Sequence, residues 1–256
     1  MKIALLGDAH GDLAALAGAA AAAQAAGANA AIQLGDLGFR APLLGAGQDF
    51  PRLALPVHAI CGNHEDHAFL AHACRSGLTR RWAERGLIYQ PRASTARFDG
   101  CTVGFLGGAL HIDRPQEAAN RPSPSEIRLA IANFSATRPL LIVTHSCPAG
   151  IGIGMRGNNA FAQQLHDHVR RVGIDPGPPD DCGEPGLREL WEALPARPAT
   201  WVFGHFHYFH EAHIGNTHFV SCAALGEPGP LLIWDSRSHQ IERHAPLNRS
   251  GFGMGQ

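Results

Sequence analysis

Apolar residues in this chain gather in short continuous runs that stop at glycine followed by a polar residue. KIALLGD (2–8), NAAIQLGD (29–36) and PVHAICGN (56–63) share this form, which predicts buried strands of one repeated construction. Between the first two, DLAALAGAAAAAQAAG predicts a helix with Asp12 at its N-terminus and Gly27 at its C-terminus. ARFDGCTVGFLGGA (96–109) predicts a hairpin turning at Asp99-Gly100. In SPSEIRLAIANF (123–134), Ser123, Pro124 and Glu126 predict a capping box with proline at the first helical position. PLLIVTHSCP (139–148) reads as a further buried strand ending at His145, GLRELWEALP as a helix, and ATWVFGHFH as a strand. THFVSCAAL and PLLIWDSRSHQIERH form a β-rich tail. This order predicts an α/β fold of two mixed sheets with helices outside. The chain reads as one domain over residues 1–256, with a Gly/Pro-rich insertion at about 149–186 around the helical stretch FAQQLHDHVRRV.

Composition narrows the function classes. With 21 Lys+Arg against 22 Asp+Glu and no run of like charges, no strong nucleic-acid signal is present. The six cysteines form no C-x-x-C pair and sit mostly in apolar stretches, which predicts buried reduced thiols and a cytoplasmic location. The opening apolar run is too short for a secretory leader. The Ala-rich run Leu13 to Ala31 carries Gln24 and Asn29, so a water-soluble helix is expected there and no membrane span.

Candidate chemistry sits at the strand ends: Asp8-x-His10, Asp36, Asn63-His64, His145 and His205-x-His207. On extended backbone, residues i and i+2 share a face, so each paired motif is expected to offer two side chains to one site. Imidazole mixed with carboxylate suits Mn, Fe, Zn or Co rather than Ca. Seven of these eight residues are possible N/O ligands, too many for one ion and about right for two ions ~3.5–4 Å apart sharing a carboxylate.

In order, GDAHGD, LGDLG, CGNHED, VTHSCP and FGHFH resemble the five sequence blocks of the calcineurin-like metallophosphoesterases, from Asp8 to His207. The resemblance implies a sandwich of two mixed sheets flanked by helices. It implies one metal ion on Asp8, His10 and His207, a second on Asn63, His145 and His205, and Asp36 as the bridge. His64 would face the substrate and protonate the leaving oxygen. The implied activity is metal-dependent hydrolysis of a phosphate ester on a small phosphorylated substrate, through a water bridging two metal ions.

GDLGFRA departs from the protein Ser/Thr phosphatases of this superfamily. Phe39 stands where their histidine-orienting Asp would be, although Arg40 aligns with their phosphate-binding Arg. A phosphodiester or small nucleotide-like ester is therefore favoured over a phosphomonoester or phosphoprotein, and Glu65 or Asp66 is the expected partner of His64. LGGALHIDRP also resembles a Gly-Gly-Ala plus Asp element of small bacterial and phage members, which would place His111 and Asp113 at the mouth of the site. GIGMRG (152–157) matches G-x-G-x-x-G but does not open from a strand into a helix; a flap is expected, with Arg156, Asn158 or Asn159 near a phosphate. The competing class is a non-catalytic interaction module on the same fold, against which the completeness of the ligand set argues.

Overall fold

Ile3 and Leu5 of strand β1 (Lys2–Leu6) face one side of a sheet and Ala4 and Leu6 the other, and each side meets a different layer. Ile3, Leu5 and Ile32 pack against Val103, Phe105, Val143 and Val202 of a second sheet, forming the middle of a sandwich. Ala4 and Leu6 lie beneath helix α1 (Leu13–Ala25), whose Leu16, Ala19, Ala20 and Ala23 are buried. Small alanines let this helix lie close to the sheet. Here a computed structural model of the chain describes residues 1–111, 114, 117–151, 167, 170–171, 173 and 183–246.

The first sheet has the order β12-β11-β1-β2-β3-β4, with β2 at Ala30–Gln33, β3 at Val57–Ala59, β4 at Leu87–Tyr89, β11 at Pro230–Asp235 and β12 at Ile241–Pro246. Strands β1 to β4 run parallel, and β11 joins β1 antiparallel. The second sheet has the order β5-β6-β7-β8-β10-β9: Ser94–Phe98, Cys101–Leu106, Leu141–Thr144, Thr200–Phe203, Thr217–Ser221 and His210–Ile214. Its centre is parallel, with antiparallel edges. Both sheets are mixed and have six strands. Helices α3 (His67–Ser76) and α4 (Leu78–Glu84) cover the first sheet beside α1; a short α2 (Ala41–Leu44) precedes them. Helices α5 (Pro124–Thr137) and α6 (Pro185–Ala193) cover the second. The architecture is that of an α/β sandwich flanked by helices, as expected.

Caps fall where the chain chemistry placed them. Asp12 accepts from the Ala15 amide, and Ser123 and Glu126 form the capping box. The hairpin turns through Asp99 and Gly100, both at positive φ. Three features differ from expectation. Helices α3 and α4 and strands β4 and β9 lie in stretches where no pattern stood out. Cys74 is exposed and Cys101 half-buried, because Cys74 faces outward on α3, whereas Cys61, Cys147 and Cys222 are buried; all five are free thiols. Each apolar run also ends its strand early. β1 stops at Leu6, β2 at Gln33 and β3 at Ala59, so the candidate ligands belong to the loops that follow. Among the described residues, no helix is long and apolar enough to cross a membrane. Most of the 149–186 insertion, GIGMRG, Asp113, Arg156, Asn158 and Asn159 lie outside the described residues.

Candidate metal centre

The parallel strands of both sheets present their carboxyl ends to one seam. β1, β2 and β3 lead into the loops of Asp8 and His10, Asp36, and Asn63 and His64. From the other sheet, β6, β7 and β8 lead into those of His111, His145, and His205 and His207. Neither sheet holds the cluster alone.

Two donor groups result. Asp8, His10 and His207 offer ligand atoms within 4.8 Å of one another, and so do Asp8, Asp36 and His145. Nε2 of His207 is 3.1 Å and Nε2 of His10 3.8 Å from Oδ2 of Asp8. Asp36 Oδ2 is 3.4 Å from Nε2 of His145, which also hydrogen-bonds Asn63 Oδ1 at 2.9 Å. His205 joins through its amide, which donates to Asp8 Oδ1 at 3.0 Å, and its ring lies 5.0 Å from that of His145. Six of the seven expected donors thus meet through their side chains, and the His205 ring lies beside that of His145. Asp8, not Asp36, is the carboxylate common to both groups.

The pairs are not delivered by extended backbone. His10, Asp36, His205 and His207 all have positive φ, at 46°, 51°, 66° and 64°. Such backbone is costly for residues with a Cβ and is retained where surrounding contacts enforce it. The i, i+2 rationale therefore gives way to tight turns. Three glycines are required by space: a Cβ on Gly62 would sit 2.1 Å from Asp36 Oδ1, one on Gly204 2.3 Å from Asp8 Oδ1, and one on Gly35 2.4 Å from His145 Nδ1. They admit the ligand side chains themselves.

Electrostatics are set by burial and by these contacts. Burial opposes the charged form of Asp36, yet the His145 charge and hydrogen bond hold its carboxyl well below the usual range. For His145 burial also works against charge, but Asp36 wins and raises the imidazole to about 10. Nδ1 of His145 donates to the Leu34 carbonyl at 2.7 Å, turning Nε2 towards Asn63 and Asp36. Burial and the His145 charge lower His205 to about 3. His207 is raised, its Asp8 contacts overcoming burial, whereas burial keeps His10 lowered.

These residues fit a cation. Asp8 Oδ2 is buried, and its 3.1 Å contact with His207 Nε2 is not a well-formed hydrogen bond, so this carboxylate oxygen calls for positive charge beside it. Nε2 of His10 and Nε2 of His207 face each other at 2.9 Å, an arrangement that needs a proton or a cation between them. Oxygen and imidazole donors together suit a divalent transition metal.

His64 stands apart from both donor groups. Its side chain is 48% exposed, its Nε2 is 3.9 Å from Asp36 Oδ2, and its amide donates to Asp36 Oδ1 at 2.8 Å. Its ring is flanked by His10 at 5.4 Å and His111 at 4.4 Å. Neither expected partner holds it. Glu65 accepts from the Gly62 and Gly38 amides, and Asp66 caps α3 by accepting from the Phe69 amide. Burial, reinforced by the Asp36 charge, pushes Glu65 up to about 8. Phe39 is fully buried against Trp82 and Tyr89. Arg40 is exposed with its guanidinium beside Gly11, next to His10.

Sequence reading missed Gln33. Fully buried at the end of β2, its amide nitrogen donates to the Gly7 and Gly35 carbonyls and its oxygen accepts from the Gly35 amide. It ties the Asp8 loop to the Asp36 loop. A polar residue inside an apolar run was the available signal.

The family model of calcineurin-like phosphoesterases matches residues 1–209, and the chain belongs to this family. Its members are phosphoesterases that typically depend on divalent metal ions, and the Asp/His groups here are of the kind that holds them. Among solved structures, one chain matches with a TM-score of 0.66 at 14% identity, covering 95% of this chain and 98% of its own length. The protein TT1561 of Thermus thermophilus matches with a TM-score of 0.54 at 16% identity, over 96% of this chain and 99% of that one. A Staphylococcus aureus chain assigned as a 5′-nucleotidase, in complex with alpha-ketoglutarate, matches with a TM-score of 0.57 at 12% identity, over 100% of this chain and 56% of that one. At these identities the likeness is one of fold. A search of curated proteins finds no match.

Proposed function

We propose that this chain is a metal-dependent phosphoesterase acting on a small phosphorylated substrate, with a phosphodiester or nucleotide-like ester favoured. One observation carries the reading: Asp8, His10, Asp36, Asn63, His145 and His207, from the loops of two sheets, bring N/O donors together around the buried Asp8 carboxylate, with His205 beside them. Asp8, His10 and His207 would hold one divalent ion and Asn63, His145 and His205 a second, with Asp36 as the carboxylate that both would share. When bound, such ions supply Lewis acidity, drawing charge from a phosphoryl group and acidifying water.

The chain's own residues supply the rest. His64, outside the donor groups and open to solvent, holds a proton at Nε2 for the departing oxygen. Arg40, whose guanidinium lies beside Gly11, would meet a phosphate oxygen. Leu34 and Gln33 fix the loops that carry His145, Asp8 and Asp36. Phe39, buried under Trp82 and Tyr89, supplies nothing to His64, which is why a phosphoprotein substrate is disfavoured. The nucleotide-like preference accords with the fold relative assigned as a 5′-nucleotidase. We read residues 1–256 as a single domain, and the free buried thiols suit a cytoplasmic location.

The test is a panel of phosphomonoesters, phosphodiesters and nucleotides offered to metal-stripped protein reloaded with Mn, Zn, Fe, Co or Mg in turn. Turnover of a diester or nucleotide by one metal form is expected. Protein that binds metal yet hydrolyses no ester would be a non-catalytic module instead.

A further inference from the structure

His64 is half exposed, and a proton donor on an exposed ring works only if something fixes the ring. Asp36 reaches it at 3.9 Å, beyond hydrogen-bond distance, and Glu65 and Asp66 are engaged elsewhere. What lies against the ring is His111, buried, at 4.4 Å between centroids. His111 in turn belongs to a segment, Gly108 to His111, held at three successive amides. Gly108 donates to the Cys61 carbonyl at 2.7 Å, Ala109 to the Asn120 carbonyl at 3.0 Å, and Leu110 to Oε1 of Glu184 at 2.6 Å.

Only the last of these acceptors is a side chain. Glu184 comes from far along the chain, and its own backbone is locked beside the His145 loop. Its amide donates to the Cys147 carbonyl at 2.7 Å, its carbonyl accepts from the Ala149 amide at 3.2 Å, and Pro148 and Glu184 form a parallel bridge. One residue thus joins the loop after β7, which carries His145, to the loop after β6, which carries His111.

We propose that Glu184 is a positioning residue for His64: by holding the Leu110 amide it sets His111 against the His64 ring and ties that contact to the His145 loop. The proposal rests on the phosphoesterase reading for its catalytic consequence, but its geometry does not.

The test uses the full-length, metal-loaded protein with Glu184→Ala, Glu184→Gln and His111→Gln. In protein carrying histidine labelled with carbon-13 at Cε1, Glu184→Ala is expected to shift the His64 and His111 ring signals. Glu184→Gln, which keeps a carbonyl acceptor, leaves them near wild type, and the distant His58 signal is unmoved in both. On an alkyl phosphate ester, Glu184→Ala and His111→Gln should each lower kcat roughly 10–100-fold with KM and bound metal little changed. An aryl ester, whose leaving group needs no proton, should lose less, and Glu184→Gln should recover most of the rate. Adding Glu184→Ala to His64→Ala should cost nothing further. An unmoved His64 signal in Glu184→Ala, equal losses on both esters, an additive loss in the double variant, or lost metal overturns the proposal. If Glu184→Ala does not fold, His111→Gln decides by the same ester comparison. If wild type hydrolyses no ester, it is the phosphoesterase reading that falls, and if His64→Ala costs nothing, it is the proton-donor role of His64; in both cases the histidine spectra alone still decide whether Glu184 sets the ring pair.

Discussion

Nε2 of His10 and Nε2 of His207 face each other 2.9 Å apart, each ring edge-on to the other, over the buried Oδ2 of Asp8. Two imidazole lone pairs repel at this distance unless something positive lies between them. The expected occupant is a divalent ion, with a second at His145 and Asn63. Reconstitution with Mn or Co followed by metal analysis should find two ions per chain. His207→Ala should then retain one. A single ion in the wild type would refute the two-metal site.

The shared carboxylate is open to a direct comparison. Resemblance to the family assigns the bridge to Asp36, whereas Asp8 is the carboxylate within reach of both donor groups. If Asp8 links them, Asp8→Asn loses both ions and Asp36→Asn mainly the one at His145 and Asn63. If Asp36 bridges, its variant loses both. Turnover should fall at least ~10³-fold in the variant that loses both, since the phosphate then has no Lewis acid. His218→Ala, on strand β10 away from both donor groups, should change little in metal content.

How much of this was legible in the sequence follows from which forces each part depends on. Apolar runs ended by Gly-Asp and Gly-Asn marked the inner strands, because burial on both faces writes itself as uninterrupted hydrophobicity. Local capping chemistry at Asp12 and Ser123 was equally readable. The donors were readable as residue types in ordered blocks. Their geometry was not. Positive φ at His10 and His205 goes with contacts to other loops, the Asp36 carbonyl taking the His10 amide and the Asp8 carboxylate the His205 amide, and Asp8's double reach depends on how two sheets meet. Gln33 and Glu184 were missed because a bracing residue is defined by distant backbone atoms, which no local pattern records. Helices α3 and α4 were missed because half their surface is exposed and polar, so no continuous run marks them.

Close approach at Gly62 gives a test of how tightly the site is built. An added Cβ would meet Asp36 Oδ1 at 2.1 Å, the Asp36 amide nitrogen at 2.4 Å and His145 Nε2 at 2.7 Å, and backbone cannot step aside. Gly62→Ala is expected to destabilise the metal-free protein by about 1–3 kcal/mol, the usual cost of overpacking, and to weaken metal binding. Gly47→Ala, where a Cβ meets nothing within 4 Å, is the control and should stay within about 0.5 kcal/mol. Equal stability of the two variants in urea unfolding would contradict the crowding at Asp36.

His58 supplies a pH dependence remote from the metal centre. It lies on β3, its ring 4.7 Å from that of Phe98, and Gln90 Nε2 donates to its Nδ1 at 2.8 Å. That bond needs an unprotonated Nδ1, and burial lowers the folded-state value to about 4 against an ordinary 6.5. The unfolded chain therefore binds a proton that the folded chain refuses between these values. Stability from the neutral ring is fully present above about pH 6.5 and drains away as pH falls towards 4. The shift is worth roughly 2 kcal/mol once discounted for partial exposure. Other histidines titrate in the same window, so the measurement is a difference. Urea unfolding of wild type and His58→Gln, each at pH 7.5 and pH 4.5, isolates the one ring. Wild type should lose more stability than the variant on acidification, by about that amount. An identical acid loss in both proteins would mean that His58 accepts its proton in the folded state as readily as in the unfolded one.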